Sequence, residues 1–223
     1  MKLPIILINF KCYEAGTGEK AVRLAKICEA VSKKYDTNIS ISPQFIDICP
    51  ILKEVDISIF CQHIDPIEPG SHTGHILPLS AKEAGVVGTL INHSERKLSL
   101  EQIKKRVQIG KKYNLITICC SGDIEESKKI AEFAPDFIAY EPPELIGTGI
   151  PVSKTKPEVV TNTVNVVKKI NPNIEVLCGA GITNGEDVKK AIELGTVGVL
   201  AASGIVKAKD PQAVLEEMAK SAL

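Results

Sequence analysis

Gly85-Val86-Val87-Gly88-Thr89-Leu90-Ile91 passes directly into Asn92-His93-Ser94-Glu95-Arg96. The first stretch is short, apolar and rich in β-branched residues, without the polar alternation of a strand that has one face in water. It reads as a strand from Val86 to Ile91 buried on both faces. The polar pentad is then the exit of that strand to solvent.

The same reading recurs along the chain. Ile5 to Asn9, Asn38 to Ser42 and Ile57 to Cys61 precede this strand, and Leu115 to Cys119, Asp136 to Tyr140, Ile174 to Cys178 and Val197 to Ala201 follow it. Helical patterns separate them, most clearly Glu19 to Lys34, Ser99 to Tyr113, Ile124 to Phe133, Glu158 to Ile170, Gly185 to Leu194 and Pro211 to Leu223. In the stretch from Ser99, apolar Leu100, Ile103, Val107 and Ile109 share a side while Glu101, Lys104, Lys105, Lys111 and Lys112 stay polar, as an outer helix requires. Asp210 followed by Pro211 marks a helix start.

Eight strand candidates separated by crossovers, with no linker and no change of composition, predict an α/β fold. The expected architecture is a single (β/α)8 barrel domain over residues 1–223, with eight parallel strands inside an outer ring of helices. An open, doubly wound sheet is the competitor. Against it, the first strand is followed by KCYEAGTGEK, not by a GxGxxG fingerprint, and no P-loop occurs, so nucleotide cofactors have no support.

Composition narrows the function classes. Lysine plus arginine and aspartate plus glutamate number 27 each, so no global basic field draws the chain to nucleic acid or anionic lipid. No run approaches the ~18 to 20 apolar residues of a membrane-spanning helix. The opening MKLPIILINFK is expected to be a buried strand and not a secretory leader, because its apolar run is short, contains Pro4 and is closed by Asn9 and Lys11. The seven cysteines form no CxxC pair and include adjacent Cys119 and Cys120, which suits reduced thiols and a cytoplasmic location better than a disulfide framework or a zinc site.

In a barrel of this kind chemistry belongs to the C-terminal ends of strands. The first run ends in Asn9-Phe10-Lys11, where Lys11 either snorkels to water or turns into a pocket. The fourth delivers the pentad, whose His93 is either structural or catalytic and whose Glu95 and Arg96 are expected to pair across the barrel rim. The sixth ends in Glu141-Pro142-Pro143, ahead of Glu144-Leu145-Ile146-Gly147-Thr148-Gly149: a carboxylate on a stiff backbone before a hinged loop, or a surface turn. The last two end in Cys178-Gly179-Ala180-Gly181-Ile182 and Ala201-Ala202-Ser203-Gly204, small residues that admit an anion to backbone amides or simply make tight turns.

Asn9-Phe10-Lys11, Thr73-Gly74, the pentad, Tyr140-Glu141-Pro142 with Ile146-Gly147-Thr148-Gly149, and the two small-residue loops occur in an order that resembles the triosephosphate isomerase family over almost the whole chain. The pentad and the glycine-hinged loop are specific as a pair, whereas the other pieces alone are weak. The resemblance implies a TIM barrel that interconverts dihydroxyacetone phosphate and D-glyceraldehyde 3-phosphate through an enediolate, in glycolysis and gluconeogenesis, without metal or organic cofactor. It implies that Lys11, His93 and Glu141 are catalytic, with His93 the electrophile and Glu141 the base. Asn9 and Lys11 would bind substrate, Ile146 and Gly147 would belong to a closing lid, Gly181, Ala202 and Ser203 would offer backbone amides to the phosphate, and Glu95 would support His93.

There are departures from the family pattern. Ala180 stands where many members carry serine, Ala202-Ser203 replaces paired glycines, and Glu144 occupies a lid position that is commonly bulky and apolar. The chain is short, like the archaeal branch, which implies a homo-oligomer, a tetramer before a dimer, with Thr73-Gly74 reaching into a neighbour. Two rival readings are another phosphosugar-binding barrel, which would share the phosphate loops but not the pentad with this lid, and a non-catalytic metabolite-binding barrel, which the intact Lys11, His93 and Glu141 argue against.

Overall fold

The computed structural model describes residues 2–142 and 151–222. Its strands are β1 Ile5–Asn9, β2 Asn38–Ser42, β3 Phe60–Cys61, β4 Gly88–Ile91, β5 Ile116–Ser121, β6 Phe137–Tyr140, β7 Glu175–Cys178 and β8 Gly198–Ala201. They form one parallel sheet in the order β2-β1-β8-β7-β6-β5-β4-β3. Its two ends meet where Ile41 of β2 bridges Ile59, just ahead of β3, and the Ile41 N–H donates to the Ser58 carbonyl at 3.1 Å. The result is a (β/α)8 barrel whose β2/β3 seam is narrow.

Around it run α1 Glu19–Tyr35, α2 Phe45–Leu52, α3 Pro78–Glu83, α4 Leu100–Lys112, α5 Ile124–Ala131, α6 Val152–Thr155, α7 Pro157–Ile170, α8 Gly185–Glu193, α9 Ser203–Val206 and α10 Pro211–Ser221. The period-two geometry of a strand explains the unbroken apolar runs. Ile5 and Leu7 face the barrel interior with Phe60, Leu90, Ile118, Phe137, Leu177 and Leu200. Ile6 and Ile8 face outward into the layer that holds Ala21, Leu24 and Cys28 of α1. Each such Ile or Leu, taken fully out of water, contributes about 1.5–3 kcal/mol. Gly88 leaves room for the interior Phe60, since a Cβ at Gly88 would lie 2.5 Å from that ring.

Several elements depart from the sequence expectation. α2 is apolar nearly all round and carries Pro50, so it shows no amphipathic stripe, while α3 has six residues and α6 and α9 one turn each. Strand three is shorter than Ile57 to Cys61, because its ladder to β4 consists of Phe60 opposite Gly88 and Cys61 opposite Thr89. On α4 the lysines and Glu101 are exposed as expected, but Leu100 is 37% exposed, and the buried face includes Arg106. Arg106 is tolerated there because its Nε donates to the Ile64 carbonyl at 2.9 Å and its Nη2 pairs with Asp65 at 3.2 Å.

α4 begins with a reciprocal cap. Ser99 Oγ accepts the Gln102 N–H at 3.3 Å and Gln102 Oε1 accepts the Ser99 N–H at 2.9 Å. Ser99→Ala is expected to cost about 1 kcal/mol of stability, read as a lower urea midpoint at unchanged slope. An unmoved midpoint would mean that the exposed cap contributes nothing.

Candidate active site

The inward series on several strands continues past its last apolar member. Stepping by two, Asn9 follows Leu7, Gln62 follows Phe60, Glu141 follows Ala139 and Gly179 follows Leu177. Polar groups thereby collect over the barrel mouth. Asn9, Lys11, His93 and Glu141 line one cleft of about 460 Å³ together with Gly181, Ala202 and Ser203. Of the residues singled out from sequence, these seven come together, Glu95 stands behind Lys11, and Ile146 and Gly147, with Glu144, lie outside the described residues.

Lys11 does not snorkel. Its side chain is 9% exposed and its Nζ lies 2.8 Å from Glu95 Oε1. The backbone at Lys11 is left-handed, φ +48°, a conformation costing roughly 1–3 kcal/mol for a residue other than glycine unless the surroundings impose it. They do: Asn9 Oδ1 accepts the Lys11 N–H at 2.9 Å, and Gln62 Nε2 donates to the Lys11 carbonyl at 2.9 Å and to the Ser42 carbonyl at 3.2 Å.

His93 caps the short 3-10 turn Ser94–Arg96. Its Nδ1 accepts the Glu95 N–H at 3.3 Å, while Glu95 Oε2 lies 3.6 Å from the same nitrogen, too far for a hydrogen bond. The accepting role assigns the lone pair to Nδ1 and the proton to Nε2, which faces Glu141 Oε2 at 3.8 Å. The pairing expected between Glu95 and Arg96 is replaced by Glu95 with Lys11, because the Lys11 turn brings that ammonium within reach.

Glu141 is 7% exposed and its N–H donates to the Ser121 carbonyl at 2.8 Å. Burial, together with the negative charge of the nearby Glu141 carboxylate, holds the Cys120 thiol well above the ordinary range. Gly179 closes the other side: a Cβ there would lie 2.3 Å from Glu141 Cγ. Among the described residues Glu141 Oε2 has no hydrogen-bond partner. Buried carboxylate oxygens are seldom left so, and the usual reason is a functional one.

In the seventh loop Ala180 and Gly181 are both left-handed, φ +64° and +72°. Beyond them, the Thr183 N–H and hydroxyl donate to Asp187 Oδ2 at 2.9 and 3.0 Å and fold the loop back on α8. α9 starts at Ser203, so the first amides of that turn have no intrahelical acceptor. Among the described residues no group of three His, Cys, Asp or Glu side chains is placed to hold a metal ion.

Sequence reading passes over Gln62, and it meets Cys120 and Gly179 only as a reduced thiol and a small loop residue, not as neighbours of Glu141. For each the same signal exists: a residue two steps beyond, or at the end of, an inward-facing apolar series.

A buried carboxylate, an imidazole and an ammonium gathered at the C-terminal mouth of a (β/α)8 barrel mark a barrel enzyme acting on a small polar substrate. The family profile described as triosephosphate isomerase matches residues 4–221. Triosephosphate isomerases of Methanothermus fervidus and Methanosarcina mazei are 54% and 50% identical over 218 residues, 98% of each chain. That of Methanocaldococcus jannaschii is 51% identical over 216 residues, 97% of this chain and 99% of its own. The chain belongs to the triosephosphate isomerase family.

Proposed function

We propose that this cleft interconverts dihydroxyacetone phosphate and D-glyceraldehyde 3-phosphate, the aldose-ketose isomerisation of glycolysis and gluconeogenesis. Glu141 Oε2 takes a proton from the carbon beside the carbonyl and the electron pair moves onto the carbonyl oxygen to give an enediolate; the hydroxyl proton of the first carbon passes to that oxygen, and Glu141 returns its proton to the former carbonyl carbon as the new carbonyl forms on the first. His93 donates from Nε2 to the oxygens as charge develops, and the Lys11 ammonium adds a fixed positive charge; preorganised donors of this type are commonly the largest catalytic contribution. Asn9 and Lys11 hold the sugar end, and the amides of Gly181, Ala202 and Ser203 take the phosphate. Ile146 and Gly147 are assigned to a lid. The proton shuttle requires neither metal nor organic cofactor.

The observation that carries this reading is the buried Glu141 Oε2, unpartnered among the described residues and 3.8 Å from His93 Nε2. A coupled assay tests it: the purified chain should turn over dihydroxyacetone phosphate and be inhibited competitively by 2-phosphoglycolate. A folded protein that leaves this substrate untouched overturns it.

We further assign residues 1–223 to a single (β/α)8 domain, a cytoplasmic location, and a homo-oligomer, a tetramer before a dimer. Residues 68–75, with Thr73 and Gly74, are exposed throughout, and Ile46 is 82% exposed. Beside Lys11 an open hollow of about 900 Å³ is lined by Tyr13, Phe45, Gln62 and Arg96, a seat for such a loop from a second copy. All seven cysteines are free, as in a reducing compartment. Among the described residues no helix is long and apolar enough to cross a membrane. A monomeric mass in solution would overturn the assembly.

A further inference from the structure

His93 follows β4 and Glu141 follows β6, and β5 lies between those strands in the sheet. The separation of the two groups is therefore set through β5. On one side the link is plain: the Glu141 N–H donates to the Ser121 carbonyl at 2.8 Å. On the other side it runs through Asn92.

Asn92 is 1% exposed, left-handed at φ +63°, and turns the chain out of β4 immediately before His93. Glycine would make that turn without strain. What asparagine adds is an amide bound at both ends: Nδ2 donates to the Cys120 carbonyl and to Glu126 Oε1, and Oδ1 accepts the Leu98 N–H, each at 2.9 Å. Glu126, in the first turn of α5, also receives Lys97 Nζ on both oxygens at 2.9 Å and the Gly122 N–H at 2.7 Å. Residues 92 and 97–98 are thus fastened to segment 120–126, the same segment that holds Glu141. The turn between them, which carries His93 and Glu95, is a three-residue 3-10 element, too short to hold its own geometry.

We propose that Asn92 and Glu126 are positioning residues for the isomerisation, a clamp that fixes the His93 imidazole relative to the Glu141 carboxylate. This rests on the roles given to His93 and Glu141 above. Neither residue lines the cleft, so the clamp acts on turnover and not on phosphate binding.

The test is a pair of substitutions measured in two backgrounds. Asn92→Gly keeps the turn and removes the amide; Glu126→Gln keeps the shape and removes the charge that gathers the donors. Each is expected to lower kcat about tenfold, with KM and the inhibition constant of inorganic phosphate within about twofold of the parent. The ¹⁵N shifts of the His93 ring should move, while the circular dichroism should not. In a His93→Gln background the same substitutions should lower kcat by less than about twofold, because the group they position is gone.

Parent-like kcat in both folded variants overturns the clamp, and so do equal losses in the two backgrounds, which would signify a general structural role. Should Asn92→Gly fold poorly, Glu126→Gln, which leaves Asn92 and its turn in place, decides between these outcomes. The reading beneath the clamp fails separately: a His93→Gln enzyme with parent turnover removes the role of His93 and the clamp with it.

Discussion

Glu141→Gln is expected to abolish most turnover while leaving the barrel folded. The amide has nearly the shape of the carboxylate, and the anchor of this position, its backbone N–H to the Ser121 carbonyl, is untouched. Removing a charge from a site only 7% exposed also lightens the desolvation cost, so the melting temperature should hold or rise. What disappears is the basic carboxylate proposed to remove the carbon-bound proton. A positioned general base contributes about 10²- to 10⁴-fold, and a loss of kcat in that range is the expected result. Binding of 2-phosphoglycolate, followed by calorimetry, should change far less, because the amides proposed to take its phosphate lie on the seventh and eighth loops. Turnover within about tenfold of the parent would place the base elsewhere.

Gly179→Ala is expected to act on the same carboxylate from the other side. The new methyl would lie 2.3 Å from Glu141 Cγ, 2.9 Å from Cδ and 2.8 Å from Oε1, well inside the ~3.5–4.0 Å of a normal carbon contact. Gly179 does not need a left-handed conformation, so its backbone accepts alanine and the strain falls on the Glu141 side chain. That side chain can move, and the fold survives. A base displaced by about 1 Å is expected to cost at least about 10²-fold in kcat with little change in KM. Combined with Glu141→Gln, Gly179→Ala should add almost nothing, because the group it displaces no longer performs chemistry. A Gly179→Ala enzyme within about threefold of the parent would show that the carboxylate can rotate aside and still reach the substrate.

The strands are readable because both of their faces are buried, which leaves no polar residue to interrupt the run. β3 reads too long, since Ile57 looks no different in sequence from a residue that has a ladder partner. α2 escapes because a helix apolar on all sides has no period to detect. Arg106 escapes for the opposite reason: a charge is assigned outward by default, and only the fold shows that Asp65 and the Ile64 carbonyl wait for it on the inner side. Asn9, His93 and Glu141 stand out because each closes an apolar run. Gln62 sits at the same offset and is missed because a lone amide carries no chemical signature. The approach of Gly179 to Glu141 depends on the cross-strand register of Tyr140 with Cys178, and the partnership of Lys11 with Glu95 spans 84 residues, so neither is written in any local pattern.

The β2/β3 seam carries a last consequence. Immediately after β3, the amide of Gln62 donates to the Ser42 carbonyl at the end of β2 and to the carbonyl of Lys11. One side chain therefore rivets the thinnest joint of the wall and braces the bend from which the ammonium hangs. Evolutionary drift at this position would be penalised twice, in the durability of the protein and in its chemistry, even though the residue itself need never meet the substrate.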